Sequence, residues 1–369
     1  MRNFVRISVV SCVMLGLALT ARAQEGLSGA DFDCLKLAYS RREVAPGEKS
    51  SYLSFHNVWT PNVKHGEFQS NGLNFVYDLE GTGKDVVFVL PGAAGLPHEY
   101  LHPMLSSLST YMRLVYFDRR ADMQSSHSIF EAATPLELAD DIDALRKTLG
   151  LNRVTLLGHS FGGTVALTYA LRYPDHVKRL ILVGSSAVIE SQAEVEKRLA
   201  KMLTTTEAAV FYSGEGGTGR LSPCERVRNR YRALFPHYYH KVPDSGFLDR
   251  GVYSIYFDAL ARKHVLAKDE GGYDLRKDLG RINVPTLIFV GRYDDVTPVV
   301  HASELASHIP QARLVVLEQS GHFPFSEENY LFTQWVKLFV LSTGDLKNDW
   351  ITAPPVDSSK VETSMKWNN

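Results

Sequence analysis

The sequence predicts an α/β protein with a mostly parallel central sheet, flanked by helices and carrying a helical cap insertion. Short runs of apolar and β-branched residues typical of buried strands recur along the chain, at residues 86–90, 154–157, 180–183 and 286–290. Segments with helical spacing separate these runs, and this alternation is typical of a parallel sheet covered by helices. From 187 to 279 the apolar residues recur at helical spacing without buried strands, which indicates the cap.

Length and composition limit the possible classes of protein. The chain has 369 residues, of which 44% are hydrophobic, so it can bury a large core as one big domain with an insertion. We therefore predict a core formed by residues 66–186 and 280–342, with the cap at 187–279 between them. The formal net charge of −1 provides no electrostatic surface for nucleic acid, and we expect no nucleic-acid partner.

The two ends of the chain have compositions of their own. Arg2 and Arg6 precede an apolar run at 7–19, and Ala-Arg-Ala at 21–23 resembles a cleavage site. We therefore predict a signal peptide at 1–23. A secreted or periplasmic protein is the expected result. No later apolar run approaches about 20 residues, so no stable membrane insertion is expected after cleavage. Residues 24–65 are predicted to be an N-terminal extension, and the polar tail at 343–369 is predicted to be disordered.

Two cysteines, Cys34 and Cys224, remain after the predicted cleavage. Export to an oxidising compartment would permit a single disulfide between them, and two unpaired buried thiols are equally compatible with the sequence.

The first strands are predicted from turn chemistry and from apolar runs. Residues 66–78 alternate well enough for two strands around Asn71-Gly72, a strong hairpin signal. The run at 86–90 is the next strand, and the run at 114–117 follows it. The helix predicted at 135–149 begins at a proline and is followed by a glycine, which is the usual asymmetry of helix ends.

The strand at 154–157 runs into Gly158-His159-Ser160-Phe161-Gly162, after which the spacing favours a helix. A serine in such a sharp strand-to-helix turn adopts a strained backbone, and the flanking glycines let strand and helix approach each other. The start of the helix directs N–H groups and its positive dipole end to the same point. We therefore predict that Ser160 is a nucleophile and that the Phe161 amide stabilises an oxyanion.

A serine nucleophile requires a base and an acid that orients the base, and both are expected in loops after later strands. The remaining predicted elements are a strand at 286–290, a helix near 300–308, a strand at 313–317 and a last helix at 328–341. The loops after these two strands contain Asp294 and His322, which we predict as the acid and the base. Asp295 is the alternative acid; Asp294 is favoured because it is the third residue past Gly291.

The loop after the strand at 86–90 is expected to provide the second oxyanion donor. Gly92-Ala93 lets a backbone N–H face the pocket, and we assign this role to the amide of Ala93. His98 and His159 lie near these residues in the sequence, and both are predicted to form the wall of the pocket rather than to carry protons.

The residues named above resemble the α/β-hydrolase fold, and within it the proline iminopeptidase-like branch. The resemblance covers roughly residues 66–342. The segments that carry it are the serine turn at 158–163, the acid loop at 291–298, the histidine loop at 320–322 and the segment Pro-Gly-Ala-Ala-Gly…His-Glu-Tyr-Leu at 91–101. The chain departs from the family pattern where Pro91 and Ala93 replace a histidine and a glycine, and where Ala121 and Met123 replace two glycines.

This resemblance and the residues together imply a serine hydrolase that cleaves an ester or amide bond of a small substrate through an acyl-enzyme on Ser160. No cofactor and no metal is expected, and the partner is a small-molecule or short peptide substrate. The oligomeric state stays open. A prolyl-type aminopeptidase is one alternative, and a non-catalytic homologue that binds a small ligand is another.

The aminopeptidase alternative requires a carboxylate in the cap, because the free ammonium group of a peptide is costly to bury without a partner. The candidate anchors in the cap are Glu190, Glu194, Glu196, Glu207, Glu215, Glu225 and Asp258.

Overall fold

The computed structural model describes residues 63–92, 98–117, 134–190, 192–212, 229, 232–242 and 273–342. Several predictions concern residues outside these ranges: the signal peptide at 1–23, residues 24–62 of the extension, the pairing of Cys34 with Cys224, and the tail at 343–369.

One sheet of eight strands runs through the described residues, in the order β1-β2-β4-β3-β5-β6-β7-β8. The strands are β1 (Lys64–Ser70), β2 (Leu73–Glu80), β3 (Val86–Leu90), β4 (Arg113–Phe117), β5 (Val154–His159), β6 (Val177–Val183), β7 (Thr286–Gly291) and β8 (Ala312–Leu317). Strand β2 pairs antiparallel with β1 and β4, and all the other pairs are parallel. The predicted α/β fold with a mostly parallel sheet is confirmed.

The hairpin predicted at the start of the core is also confirmed. Asn71 and Gly72 both have positive φ, 49° and 78°, as a tight hairpin turn with the twist of the strands requires. The strand before the turn begins at Lys64, two residues earlier than the alternation of the sequence indicates.

Helices cover both faces of the sheet. In the described ranges the α-helices are α1 (His102–Leu105), α2 (Pro135–Thr148), α3 (Phe161–Arg172), α4 (Gln192–Ala200), α5 (Thr205–Phe211), α6 (Val299–His308), α7 (Pro324–Glu327) and α8 (Asn329–Leu341). Short 3₁₀ helices lie at His98–Tyr100, Ser106–Thr110, Pro174–His176, Phe235–Tyr238 and Arg276–Arg281. Helix α2 matches its prediction, and a capping box between Thr134 and Glu137 fixes its start.

The apolar strands are continuous because both of their faces are buried. In β3, Phe88 and Leu90 belong to the hydrophobic cluster under α2, α3 and α6, whereas Val87 and Val89 belong to the cluster under α1 and α8. Side chains alternate between the two faces of a strand, so a strand covered on both sides shows no polar alternation. This is the physical reason that the strands could be recognised from short apolar runs.

The described part of the cap is helical, as predicted. Helices α4 and α5 share a small core of Leu199, Phe211, Ala233 and Leu234. The insertion leaves and re-enters the core at one point, because Val188 and Asp274 form an antiparallel bridge. No helix of the described residues combines the length and apolarity needed to cross a membrane.

Candidate active site

Ser160 occupies the sharp turn between β5 and α3, with φ 53° and ψ −123°. Positive φ is rare for a residue with a side chain, and it indicates that the surroundings impose the conformation. The Ser160 N–H donates a hydrogen bond of 2.7 Å to the carbonyl of Val183 on the neighbouring strand β6. A Cβ at Gly158 would collide with the carbonyl oxygen of Gly162, so this turn needs its glycine.

Helix α3 begins directly after the serine, and Phe161 is its first residue. A Cβ at Gly162 would collide with the carbonyl oxygens of Leu90 and Pro91, so the glycine lets the start of α3 pack against the end of β3. The first N–H groups of a helix lack partners within the helix and form the positive end of its dipole. The Phe161 amide is therefore placed beside Ser160, at the end of α3 that favours negative charge.

Asp294 and His322 form a buried pair in the loops after β7 and β8. Nδ1 of His322 lies 2.8 Å from Oδ2 of Asp294, and each residue is 3% exposed. The second carboxylate oxygen, Oδ1, accepts hydrogen bonds from the amides of Val296 at 3.0 Å and Thr297 at 2.7 Å. Because the carboxylate holds a proton on Nδ1, Nε2 is the ring nitrogen available to a nucleophile.

The neighbouring carboxyl, Asp295, is held in a different way. Its backbone carbonyl accepts a hydrogen bond of 2.8 Å from Nε of Arg198 in cap helix α4. Burial raises the pKa of its carboxyl, and the adjacent charge of Asp294 raises it further. Of the two candidate acids, the structure brings Asp294 to His322.

Gly184, which sequence reasoning did not single out, makes room for the acid and the base. It follows β6 with φ 51°, and a Cβ placed on it would lie 3.0 Å from Oδ2 of Asp294 and 3.1 Å from Nδ1 of His322. Both the conformation and the available space favour glycine here. The signal in the sequence is a glycine directly after the apolar run at 180–183, at the same sheet edge as the other loops.

His159 links the loop after β3 to the histidine loop. The Gly92 N–H donates to the hydroxyl of Tyr100 at 2.7 Å, and that hydroxyl lies 2.7 Å from Nδ1 of His159. Nε2 of His159 lies 3.0 Å from the carbonyl oxygen of His322, which can only accept. The proton of His159 is therefore on Nε2, and Tyr100 donates to Nδ1.

This arrangement keeps His159 neutral. Burial lowers its pKa well below the ordinary value, and the nearby His322 lowers it further. His159 is 1% exposed, so the predicted wall residue is a buried connector between two loops of the site. The Gly92 amide hydrogen bonds to Tyr100, and Ala93, the predicted second oxyanion donor, lies outside the described residues.

The cap contacts the histidine loop directly. The His322 N–H donates a 2.7 Å hydrogen bond to the carbonyl of Tyr238. The carboxylate of Glu327 accepts from the amide of Gly321 at 2.7 Å, and also from the amides of His240 at 2.8 Å and Lys241 at 3.0 Å. One side chain thus joins the loop of the base to the described cap segment at 238–241.

The described acidic residues of the cap are engaged in structural contacts. Glu190 pairs with Arg198 through two hydrogen bonds of 3.0 and 2.8 Å, while Glu207 caps α5 and lies 3.3 Å from Nε2 of His237. Glu194 is exposed. The side chain of Glu196 is outside the described set, as are Glu215, Glu225 and Asp258.

A separate group of potential metal ligands lies away from this site. Asp78, His98 and His102 are all buried, and one ligand atom from each lies within 4.8 Å of the others. No metal ligand was predicted from the sequence, although two histidines four residues apart can share one face of a helical turn.

Comparison with known proteins identifies the fold family of the chain. Residues 85–329 match the family model described as alpha/beta hydrolase fold. A proline iminopeptidase of Saccharolobus solfataricus is 27% identical over 313 residues, which cover 79% of this chain and 96% of that protein. The human serine hydrolase BPHL is 26% identical over 269 residues, covering 71% and 81% of the two chains. A solved esterase from Exiguobacterium antarcticum aligns with a TM-score of 0.58 and 24% identity, covering 75% of this chain and 99% of that one.

Proposed function

The chain belongs to the alpha/beta hydrolase fold family and is a hydrolase, and from this premise we propose that it cleaves an ester or amide bond of a small substrate through an acyl-enzyme on Ser160. The observation that carries the proposal is the buried 2.8 Å hydrogen bond between His322 and Asp294 at the sheet edge that also carries the serine turn. It supplies a base with a defined tautomer at the sheet edge where the strained serine also lies.

In the proposed reaction, Nε2 of His322 takes the proton of the Ser160 hydroxyl as the oxygen attacks the substrate carbonyl. The imidazolium then delivers that proton to the leaving group, and a water molecule repeats the sequence to release the acid and free the serine. Asp294 fixes the tautomer of His322 and stabilises the imidazolium. Its own position is supported by the amides of Val296 and Thr297, so the base is oriented before substrate binds.

The tetrahedral intermediate carries a negative oxygen, and we assign its stabilisation to two backbone amides. The Phe161 amide is supported by its place at the first position of α3. The Ala93 amide is the second donor expected from the sequence. Each such donor contributes about 3 kcal/mol to lowering the barrier.

We favour ester substrates over peptides for this site. The two half-buried acids of the described cap, Glu190 and Glu207, already bind Arg198 and the start of α5. A substrate ammonium group would have to displace these partners or find a carboxylate elsewhere. A prolyl-type aminopeptidase is kept as the second candidate because the chain is similar to a proline iminopeptidase over most of its length.

The direct test is an assay of purified protein with short p-nitrophenyl esters beside prolyl and alanyl p-nitroanilides. We expect turnover of the esters, and loss of it in Ser160→Ala by about 10⁶-fold in kcat with an unchanged circular dichroism spectrum. Turnover of anilides in place of esters would favour the aminopeptidase.

A fluorophosphonate probe separates a catalyst from a homologue that only binds a ligand. We expect the probe to label the wild type and not Ser160→Ala. It should also label the control Ser307→Ala, which removes a hydroxyl that donates to the carbonyl of Glu304 within α6. Equal labelling or equal turnover in Ser160→Ala would remove Ser160 from the mechanism.

A further inference from the structure

We propose that Asp78, His98 and His102 form a binding site for a divalent transition-metal ion, with Zn²⁺ as the best match. Asp78 lies on β2, His98 begins the 3₁₀ turn that follows the loop after β3, and His102 begins α1. All three side chains are buried, and their ligand atoms lie within 4.8 Å of one another. Imidazole nitrogens and a carboxylate oxygen form a ligand set that zinc prefers.

The distances suit a common ion. Nε2 of His98 lies 3.3 Å and Nε2 of His102 lies 3.6 Å from the same atom, Oδ2 of Asp78. Zinc binds nitrogen and oxygen at about 2.0–2.2 Å, so two ligands of a tetrahedral site lie about 3.3–3.6 Å apart. Both separations therefore match the edge of such a coordination shell, and small rotations of the rings would complete it.

The sequence of this turn is itself informative. Residues 98–102 read His-Glu-Tyr-Leu-His, which is the H-E-x-x-H pattern that places two histidines on one face of a helical turn toward zinc. In the structure the pattern spans the 3₁₀ turn at His98–Tyr100 and the start of α1, and nitrogens of both histidines approach the same oxygen of Asp78. His98 is 1% and His102 is 3% exposed, so the ion would be enclosed and structural rather than open to a substrate.

Other groups around the cluster orient the proposed ligands. Nδ1 of His102 lies 3.8 Å from Oε2 of Glu80, which is beyond hydrogen-bond distance, so a small shift of the ring would be needed for this carboxylate to hold it. Nδ1 of His65 lies 2.6 Å from Oδ1 of Asp78, which leaves Oδ2 directed to the two histidines. The ring of Tyr116 stacks on His102 with a centroid distance of 3.6 Å.

An ion at this position would tie strand β2 to the turn that carries Tyr100. The hydroxyl of Tyr100 binds the Gly92 amide and His159, so the ion would stabilise the side of the active site formed by the loop after β3. Its removal would loosen this turn.

The test uses the full protein, treated with a chelator and then titrated with Zn²⁺ against a chromophoric competitor. We expect about one high-affinity equivalent per chain and a rise in melting temperature with zinc concentration. His98→Gln and His102→Gln should each weaken binding by at least about 100-fold, and Glu80→Gln by about 10- to 100-fold. The matched control is His308→Gln, which removes an exposed histidine of α6 and should bind zinc like the wild type.

Two results would overturn the proposal. The first is a wild type whose melting temperature does not respond to zinc and that binds less than about one equivalent. The second is zinc affinity in folded His98→Gln and His102→Gln equal to that of the wild type. If these variants fail to fold, the visible absorption spectrum of the wild type with bound Co²⁺ decides. Nitrogen and oxygen ligands in a tetrahedral site give absorption bands that are stronger than those of hydrated Co²⁺.

Discussion

Two groups of buried histidines and carboxylates among the described residues differ in how their imidazole nitrogens are arranged. In the first, one ring of His322 meets Asp294 at 2.8 Å, and the second oxygen of the carboxylate is held by backbone amides. In the second, the rings of His98 and His102 approach a single oxygen of Asp78 at 3.3 and 3.6 Å. The first group leaves one imidazole nitrogen for a nucleophile, whereas the second directs two imidazole nitrogens to one point.

This difference shows that a histidine next to a carboxylate does not by itself define a catalytic residue. Both groups are buried, and both contain an aspartate fixed by several hydrogen bonds. The two groups are distinguished by the way their imidazole nitrogens are arranged around the carboxylate. In the Asp294 pair, one nitrogen of a single ring meets the carboxylate, and we assign the other nitrogen to Ser160. In the Asp78 cluster, nitrogens of two rings approach the same carboxylate oxygen.

The largest expected effect separates the roles of the two aspartates. Asp294→Asn keeps the shape of the side chain but removes the charge that fixes the tautomer of His322, so kcat with a p-nitrophenyl ester should fall by about 10⁴-fold. Asp78→Asn should instead lower the free energy of unfolding in urea by about 1.5–3 kcal/mol, because it weakens charged hydrogen bonds. Both unfolding curves are measured with a chelator present, so that no bound ion contributes.

The matched control is Asp295→Asn, which changes the neighbouring carboxyl that the sequence offers as the alternative acid. We expect its kcat to stay within about tenfold of the wild type. A greater loss in Asp295→Asn than in Asp294→Asn would reverse the assignment of the acid.

A second prediction concerns a variant that disturbs only the pair of Asp294 and His322, because Gly184 leaves space for both side chains. A methyl group at this position would lie 3.0–3.1 Å from Asp294 and His322, so Gly184→Ala should displace the pair and lower kcat by about 100-fold.

Gly150→Ala is the control: Gly150 also has positive φ, 64°, but nothing lies within 4 Å of an added Cβ. Both variants should lose about 1 kcal/mol of stability from backbone strain, and only Gly184→Ala should lose turnover. Equal kcat values in the two variants would contradict the proposed close approach.

The sequence predicted those parts of the fold and of the site that local patterns encode. Strands that are buried on both faces were predicted from apolar runs such as 86–90. The serine turn was predicted from its glycines and from the helix that follows it. Asp294 and His322 were chosen because the carboxyl ends of parallel strands meet at one edge, and the structure brings them together.

The parts that sequence reasoning missed depend on contacts distant along the chain. Gly184 looks like any glycine at a strand end until the loops after β7 and β8 are placed beside it. The short helical turn from His98 to Leu105 has too few residues for a periodic signal, so the direction of His102 could not be derived. Asp78 is 20 positions before His98, and only the pairing of β2 with β4 brings it under that turn.

A third prediction addresses Tyr100, which lies between the two groups. Tyr100→Phe keeps the ring but removes the hydroxyl that binds the Gly92 amide and Nδ1 of His159. Two buried polar groups then lack their partner, which should lower the free energy of unfolding by about 1–3 kcal/mol. Because the hydroxyl positions the loop after β3 rather than touching the reacting atoms, kcat should fall by about tenfold with little change in KM.

The control for this variant is Tyr330→Phe, at a tyrosine that is 56% exposed on α8, where both stability and kcat should stay at wild-type values. If Tyr100→Phe changes KM in place of kcat, the hydroxyl contacts substrate and the positioning role is wrong.

The smallest expected effect concerns His159, whose ring joins the Tyr100 side of the molecule to the backbone of the base. Its pKa in the folded protein is well below 6.5 because it is buried, whereas in the unfolded chain it is expected near the ordinary value. As the pH falls through that value the unfolded state takes up a proton that the folded state does not, so the free energy of unfolding decreases. His159→Gln removes this uptake; between about pH 7 and pH 5.5 the wild type should lose about 1 kcal/mol more stability than the variant. The exposed His308→Gln variant should follow the wild-type curve. Parallel pH curves for wild type and His159→Gln would mean that folding leaves the proton affinity of His159 unchanged, and the description of His159 as a buried neutral connector would then be wrong.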